Sequence, residues 1–89
     1  MSVEQKLAEL GLTLPEAPAP VASYVPAVKQ GNWVYVSGQI PLRDGKVRVT
    51  GKVGSEVTLE DAQQEARQCA LNALAVIKSV AGSLDNVER

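Results

Sequence analysis

The stretch NWVYVSGQIP, Asn32–Pro41, decides how the chain is read. Trp33, Val34, Tyr35 and Val36 are β-branched or aromatic and form a strand. They do not alternate with polar residues, so both faces of the strand are apolar, the pattern of a central strand covered on both sides. Ser37-Gly38-Gln39 then breaks the pattern with a hydroxyl, a bare backbone and an amide, before Pro41 closes it. Two readings stay open. One is a strand end or bulge with a structural serine. The other is a ligand site, because glycine permits close approach of a ligand or another backbone. The Gly38 N–H is then a free donor at the strand end. Ser37, placed on the strand face of Trp33 and Tyr35, adds a hydroxyl, and Tyr24 adds a phenol. Such groups suit a small anion or a carbonyl.

Working outward, Pro26–Gln30 is the preceding strand and Gly31-Asn32 a two-residue hairpin turn. Ile40–Arg43 and Lys46–Thr50 flank Asp44-Gly45, a strong hairpin signal. Val47 and Val49 alternate with Lys46, Arg48 and Thr50, giving that hairpin one wet face. Gly51–Gly54 is a loop. Thr58 caps a long helix, with Asp61 in the capping-box position, and Gly82 ends it. Leu59, Ala62, Ala66, Cys69, Ala70, Ala73, Leu74, Ile77 and Val80 make an apolar stripe that predicts close packing on the sheet. At the start of the chain, Ser2 and Gln5 have capping-box spacing and Val3, Leu7 and Leu10 share a face, so a short helix runs to Gly11. Three prolines between Leu14 and Pro20 give an extended arm, laid over the domain. One helix covers one sheet face. The other face needs cover from further subunits, from chain beyond Arg89, or from both.

At 89 residues the chain makes one small domain. A chain of this size buries only about 60–65% of the surface that its unfolded form exposes. It is 45% hydrophobic and 21% charged, with net charge −1, which favours neither nucleic acid nor an anionic membrane. One Cys and no His exclude an internal disulfide and argue against a His/Cys metal site. The lone Cys69, on the apolar stripe, reads as an inert thiol in a reducing compartment, which predicts the cytoplasm. The sequence holds no apolar run of membrane-spanning length and no signal-peptide pattern at its start. Without His there is no Ser-His-Asp set. The acidic residues Glu4, Asp44, Glu56, Glu60, Asp61, Glu65 and Asp85 read as caps, turns and solvated faces. Arg43, Lys46, Arg48 and Lys52 form a basic hairpin, read as edge protection because no exposed aromatic interleaves them.

Tyr24-Val-Pro-Ala-Val-Lys-Gln-Gly-Asn32, Trp33–Pro41, the Asp-Gly hairpin and Gln68-Cys-Ala-Leu-Asn-Ala-Leu74 together resemble the Rid family. These are the reactive-intermediate deaminases, also called YjgF-like and formerly grouped as endoribonuclease L-PSP. The resemblance covers residues 24 to 89, and the N-terminal helix and arm are similar to the longer-chain branch. It implies an α+β, chorismate-mutase-like subunit, and a homotrimer whose sheets form a central barrel with clefts between neighbours. The implied activity is hydrolysis of 2-imino or enamine acids to 2-keto acids and ammonia, with no cofactor and no metal. Tyr24, Ser37 and Gly38 match the family's substrate-binding positions, with the Gly38 N–H directed at the substrate carboxylate or carbonyl.

The chain departs from the family pattern in two places. Val25 and Pro26 stand where the better-known branch has serine and glutamine, which bears on substrate identity. The family's carboxylate-clamping arginine and the acidic residue that places water lie in later strands, and nothing in residues 1–89 matches them, so the catalytic residues are not assigned here. The expectation is a single Rid-like domain over 1–89, truncated at its C-terminal end, with 1–23 as N-terminal helix and arm. Two further functions are weighed: a non-catalytic trimer that binds small carboxylates or a protein partner, and an endoribonuclease.

Overall fold

A computed structural model describes residues 2–19 and 23–89. The fold is α+β. Its elements are α1 (Val3–Glu9), β1 (Ala27–Gln30), β2 (Trp33–Val36), β3 (Leu42–Arg43), β4 (Lys46–Val47) and α2 (Leu59–Ala81), with a 3-10 turn at Leu84–Asn86. The strands form two separate antiparallel hairpins, β1–β2 and β3–β4. The end of the expected proline arm, Pro20, lies outside the described residues.

The first hairpin pairs Ala27 with Val36, Val28 with Tyr35, Lys29 with Val34 and Gln30 with Trp33. Directly opposed residues share a face. Val34 and Val36 are half-buried toward α2, while Trp33 is 69% and Tyr35 61% exposed. Val28, opposite Tyr35, is also exposed. Within this chain β2 therefore has one covered face and one bare, aromatic face. The expectation of apolar cover on both sides is met here on one side only.

In the second hairpin Asp44 and Gly45 both take positive φ, 51° and 77°. A type I′ turn requires this of both central residues, and Asp and Gly tolerate it. The strands are shorter than expected, Leu42–Arg43 and Lys46–Val47 instead of Ile40–Arg43 and Lys46–Thr50. Pro41 has no N–H for a ladder, and the Leu42 N–H turns back to the Ile40 carbonyl at 2.8 Å, closing a three-residue turn about Pro41.

Thr58 caps α2 through its hydroxyl, which accepts from the Asp61 N–H at 3.1 Å. Gly82 ends the helix, its N–H bonding the Lys78 carbonyl at 2.8 Å. Among the described residues, the buried apolar ones are Val57, Ala75, Val76 and Leu84. The expected stripe is corrected in its first half: Leu59, Ala66 and Ala70 are exposed, and α2 turns Glu65, Gln68 and Asn72 inward. The physical reason lies opposite, where β3 and the turn before it present a guanidinium and two carbonyls that need partners.

The capping box on α1 forms, with the Gln5 N–H donating to Ser2 Oγ and the Ser2 N–H to Gln5 Oε1. No residue of α1 is buried. It is held at its start by reciprocal bonds to the 3-10 turn. The Val3 N–H donates to Asp85 Oδ1 at 2.7 Å, and Glu4 Oε1 accepts from the Leu84 N–H at 3.0 Å.

Candidate functional site

Past β2 the Gly38, Gln39 and Ile40 N–H groups have no acceptor among the described residues. The Ser37 N–H extends the ladder to the Pro26 carbonyl at 3.0 Å. Ser37 Oγ donates to the Val25 carbonyl, so its proton is committed and only its lone pairs remain to accept. Ser37 is half-buried, where strict alternation with Trp33 and Tyr35 would expose it. Gln39 folds back, its Nε2 donating to the Ser37 carbonyl at 3.0 Å. Between them Gly38 is exposed, and among the described residues nothing accepts its N–H.

Gly38 meets no demand from the chain's own packing. Its φ is not positive, and a Cβ built on it has nothing within 4 Å. A residue with a side chain would fit there as far as this chain is concerned. What the missing side chain leaves, among the described residues, is open space at the Cβ position beside the amide.

Gly38 opens on a crevice lined by Pro18, Ala19, Tyr24, Pro26, Gln39, Ile40 and Leu42. Tyr24 and Gly38 are thus brought together, while Ser37 stands beside the crevice without lining it. Pro18 and Ala19, in the described part of the proline arm, form one side of the crevice. The crevice measures about 10 Å³, the room of roughly one water.

Behind the crevice runs a polar relay from α2. Asn72 is 1% exposed. Its Nδ2 donates to the carbonyls of Ile40 at 3.2 Å and Leu42 at 3.0 Å, and its Oδ1 accepts from Gln68 Nε2 at 2.9 Å. Gln68 Oε1 accepts from Arg43 Nε at 2.9 Å, and Arg43 Nη2 meets Glu65 Oε2 at 3.0 Å. Glu65 is therefore part of an inward ion pair and not a solvated face, and its Oε1 is buried without a partner among the described residues. Arg43 leaves the basic hairpin for the same reason; Lys46, Arg48 and Lys52 stay exposed. The sequence reading passed over this relay. Its signal was a Gln and an Asn spaced i, i+4 in an Ala-rich helix, where a polar side chain turned inward has to be hydrogen-bonded.

Burial raises the Cys69 thiol pKa and the Glu65 carboxylate adds to the rise, which opposes thiolate formation at neutral pH. Among the described residues no group of three or more His, Cys, Asp or Glu side chains could hold a metal ion, and no helix is long and apolar enough to cross a membrane.

Comparison with known proteins identifies the family and the fold. Residues 14–88 match the family described as Endoribonuclease L-PSP. The chain is 39% identical over 87 residues to Protein TCP17 of Trypanosoma cruzi, aligning 98% of this chain with 54% of that protein. It is 36% identical over 72 residues to a RutC family protein of Sulfurisphaera tokodaii, with 81% and 51% of the two chains covered. The crystal structure of Atu1372 from Agrobacterium tumefaciens, a protein of unknown function, superposes with TM-score 0.80 at 44% identity, covering 99% of this chain and 52% of that one. A provisionally named endoribonuclease from Shewanella oneidensis MR-1 superposes with TM-score 0.86 at 33% identity, covering 94% and 56%. The chain thus spans about half the length of the relatives it matches. By the match over residues 14–88 and the shared fold, the chain belongs to the endoribonuclease L-PSP family, the Rid or YjgF-like family.

Proposed function

We propose that the full-length protein hydrolyses 2-imino or enamine acids to 2-keto acids and ammonia, in clefts between the protomers of a homotrimer. The enamine tautomerises to the imine. Water adds to the C=N carbon, a proton passes to nitrogen, the C–N bond breaks, and ammonia leaves with the ketone formed. No redox partner is needed. The Gly38 N–H binds the substrate carboxylate or carbonyl, and Tyr24 and Ser37 shape the cleft.

The observation that carries this reading is Gly38: among the described residues its amide has no acceptor, its Cβ position is open, and its backbone does not need glycine. The crevice in one protomer holds only about a water, so the body of the substrate lies outside it, against a neighbour. The bare face of Val28, Trp33 and Tyr35 supports an association that would supply that neighbour. A cytoplasmic location belongs to the same proposal and rests on the lone, protonated Cys69.

A non-catalytic trimer that binds small carboxylates is the second reading. It is favoured by Val25 and Pro26, which stand where the better-known branch has serine and glutamine. The basic hairpin gives an endoribonuclease little, since Arg43 is committed to Glu65.

The test is ammonia release from 2-iminobutanoate by the full-length protein, compared with Gly38→Phe. Release above the spontaneous rate, lost in the folded variant, is expected. A bound carboxylate without turnover selects the second reading, and a rate unaffected by Gly38→Phe removes the site.

A further inference from the structure

Between Ser37 and Leu42, the segment that presents Gly38 makes no ladder bond to either hairpin among the described residues. Gln39 bonds only back to Ser37, Pro41 offers no donor, and the turn from Ile40 to Leu42 closes on a single backbone bond. Beyond the Ser37 bonds to Pro26 and Val25, what ties it to α2 is one buried side chain. Both N–H bonds of the Asn72 carboxamide are taken by the carbonyls on either side of Pro41. Gln68 fixes which way that carboxamide faces, because its Nε2 donates to the Asn72 oxygen. Arg43, bonded to Gln68 and to Glu65, in turn fixes Gln68. Ile40 and Leu42 line the crevice with Gly38, so the clamp acts on the wall of the site itself.

We propose that Asn72 is a positioning residue: the Arg43–Gln68–Asn72 relay clamps the Ile40-Pro41-Leu42 turn, and through it aims the Gly38 N–H at the substrate acid. The inference rests on the functional reading above for the word substrate, but the clamp is a claim about this chain alone. It touches no reacting atom. It acts by removing freedom from the donor, so that the amide is already oriented when the acid arrives.

A merely structural asparagine would cost stability and nothing specific. The control is therefore Val76→Ala, one turn further along α2, which destabilises the same helix through a side chain that makes no hydrogen bond to the turn. In the full-length protein, Asn72→Ala should lower the backbone order parameter of Gly38 from about 0.85 to below about 0.6. It should raise KM for 2-iminobutanoate roughly tenfold or more, with kcat nearly kept, since the Gly38 amide serves to bind the acid and not to activate it. Val76→Ala should do neither. If Asn72→Ala does not fold, Gln68→Met is measured the same way, and it should loosen Gly38 to a smaller extent. Equal order at Gly38 in the relay variant and in Val76→Ala overturns the proposal. Should the wild-type protein release no ammonia, the functional reading falls by itself. The order parameters then still decide the clamp, upholding it if only the relay variants loosen Gly38.

Discussion

The two halves of α2 hold the sheets by opposite means. From Ala75 onward the helix buries apolar atoms, with Val76 fully enclosed. Before Asn72 it offers Glu65 and Gln68 to Arg43 and leaves Leu59, Ala66 and Ala70 in the open. The first kind of contact is non-directional and scales with area. The second is directional, strong in geometry and modest in net free energy. Stability should therefore reside in the far half, and the shape of the candidate site in the near half.

That division can be broken in several ways, starting with the largest effect. Val76→Ala removes two methyl groups from a closed site and should lower unfolding free energy by about 2 kcal/mol, read from the denaturant midpoint at constant m. Glu65→Ala leaves Arg43 without its carboxylate, but Arg43 is still 29% exposed and can hydrate, so the loss should be about 1 kcal/mol. A larger loss for Glu65 than for Val76 would invert the comparison. Gly38→Ala should move stability by no more than about 0.5–1 kcal/mol in the stabilising direction, since the native backbone accepts it and the unfolded chain loses freedom.

The smallest expected effect is local. The Leu84 N–H bond holds the Glu4 pKa below its ordinary 4.5, with Ser83 and Lys78 contributing in the same sense. Because the folded value is the lower one, the tie is fully present above pH 4.5 and is lost as pH falls through the folded value. Acid titration should free the Leu84 amide and α1 before α2 melts. Glu4→Gln should remove that pH dependence, and an acid-driven release unchanged in this variant would contradict the assignment.

These contrasts also mark what the sequence disclosed. The bounds of α2 were legible because Thr58 and Gly82 carry their reason locally, one in a hydroxyl and the other in a bare backbone. The Asp44-Gly45 turn was legible for the same reason. Which face of α2 goes inward was not. Periodicity reports polarity, and here the inward face is polar because Ile40, Leu42 and Arg43, some thirty residues upstream, set its partners. Trp33–Val36 announced a strand with two apolar faces, but a single chain supplies cover for one. At the site, Tyr24 and Gly38 line one crevice, whereas Ser37 turned its hydroxyl proton to Val25, a choice made by the segment before β1.

In the proposed function, binding of the acid turns on the Gly38 amide, and its 1H–15N resonance reads that amide alone. In the full-length protein, titration with 2-oxobutanoate should move the Gly38 proton downfield in a saturable way, as a hydrogen bond to the acid forms. A Gly38 resonance that stays fixed while the acid binds elsewhere, or while nothing binds, would contradict the account.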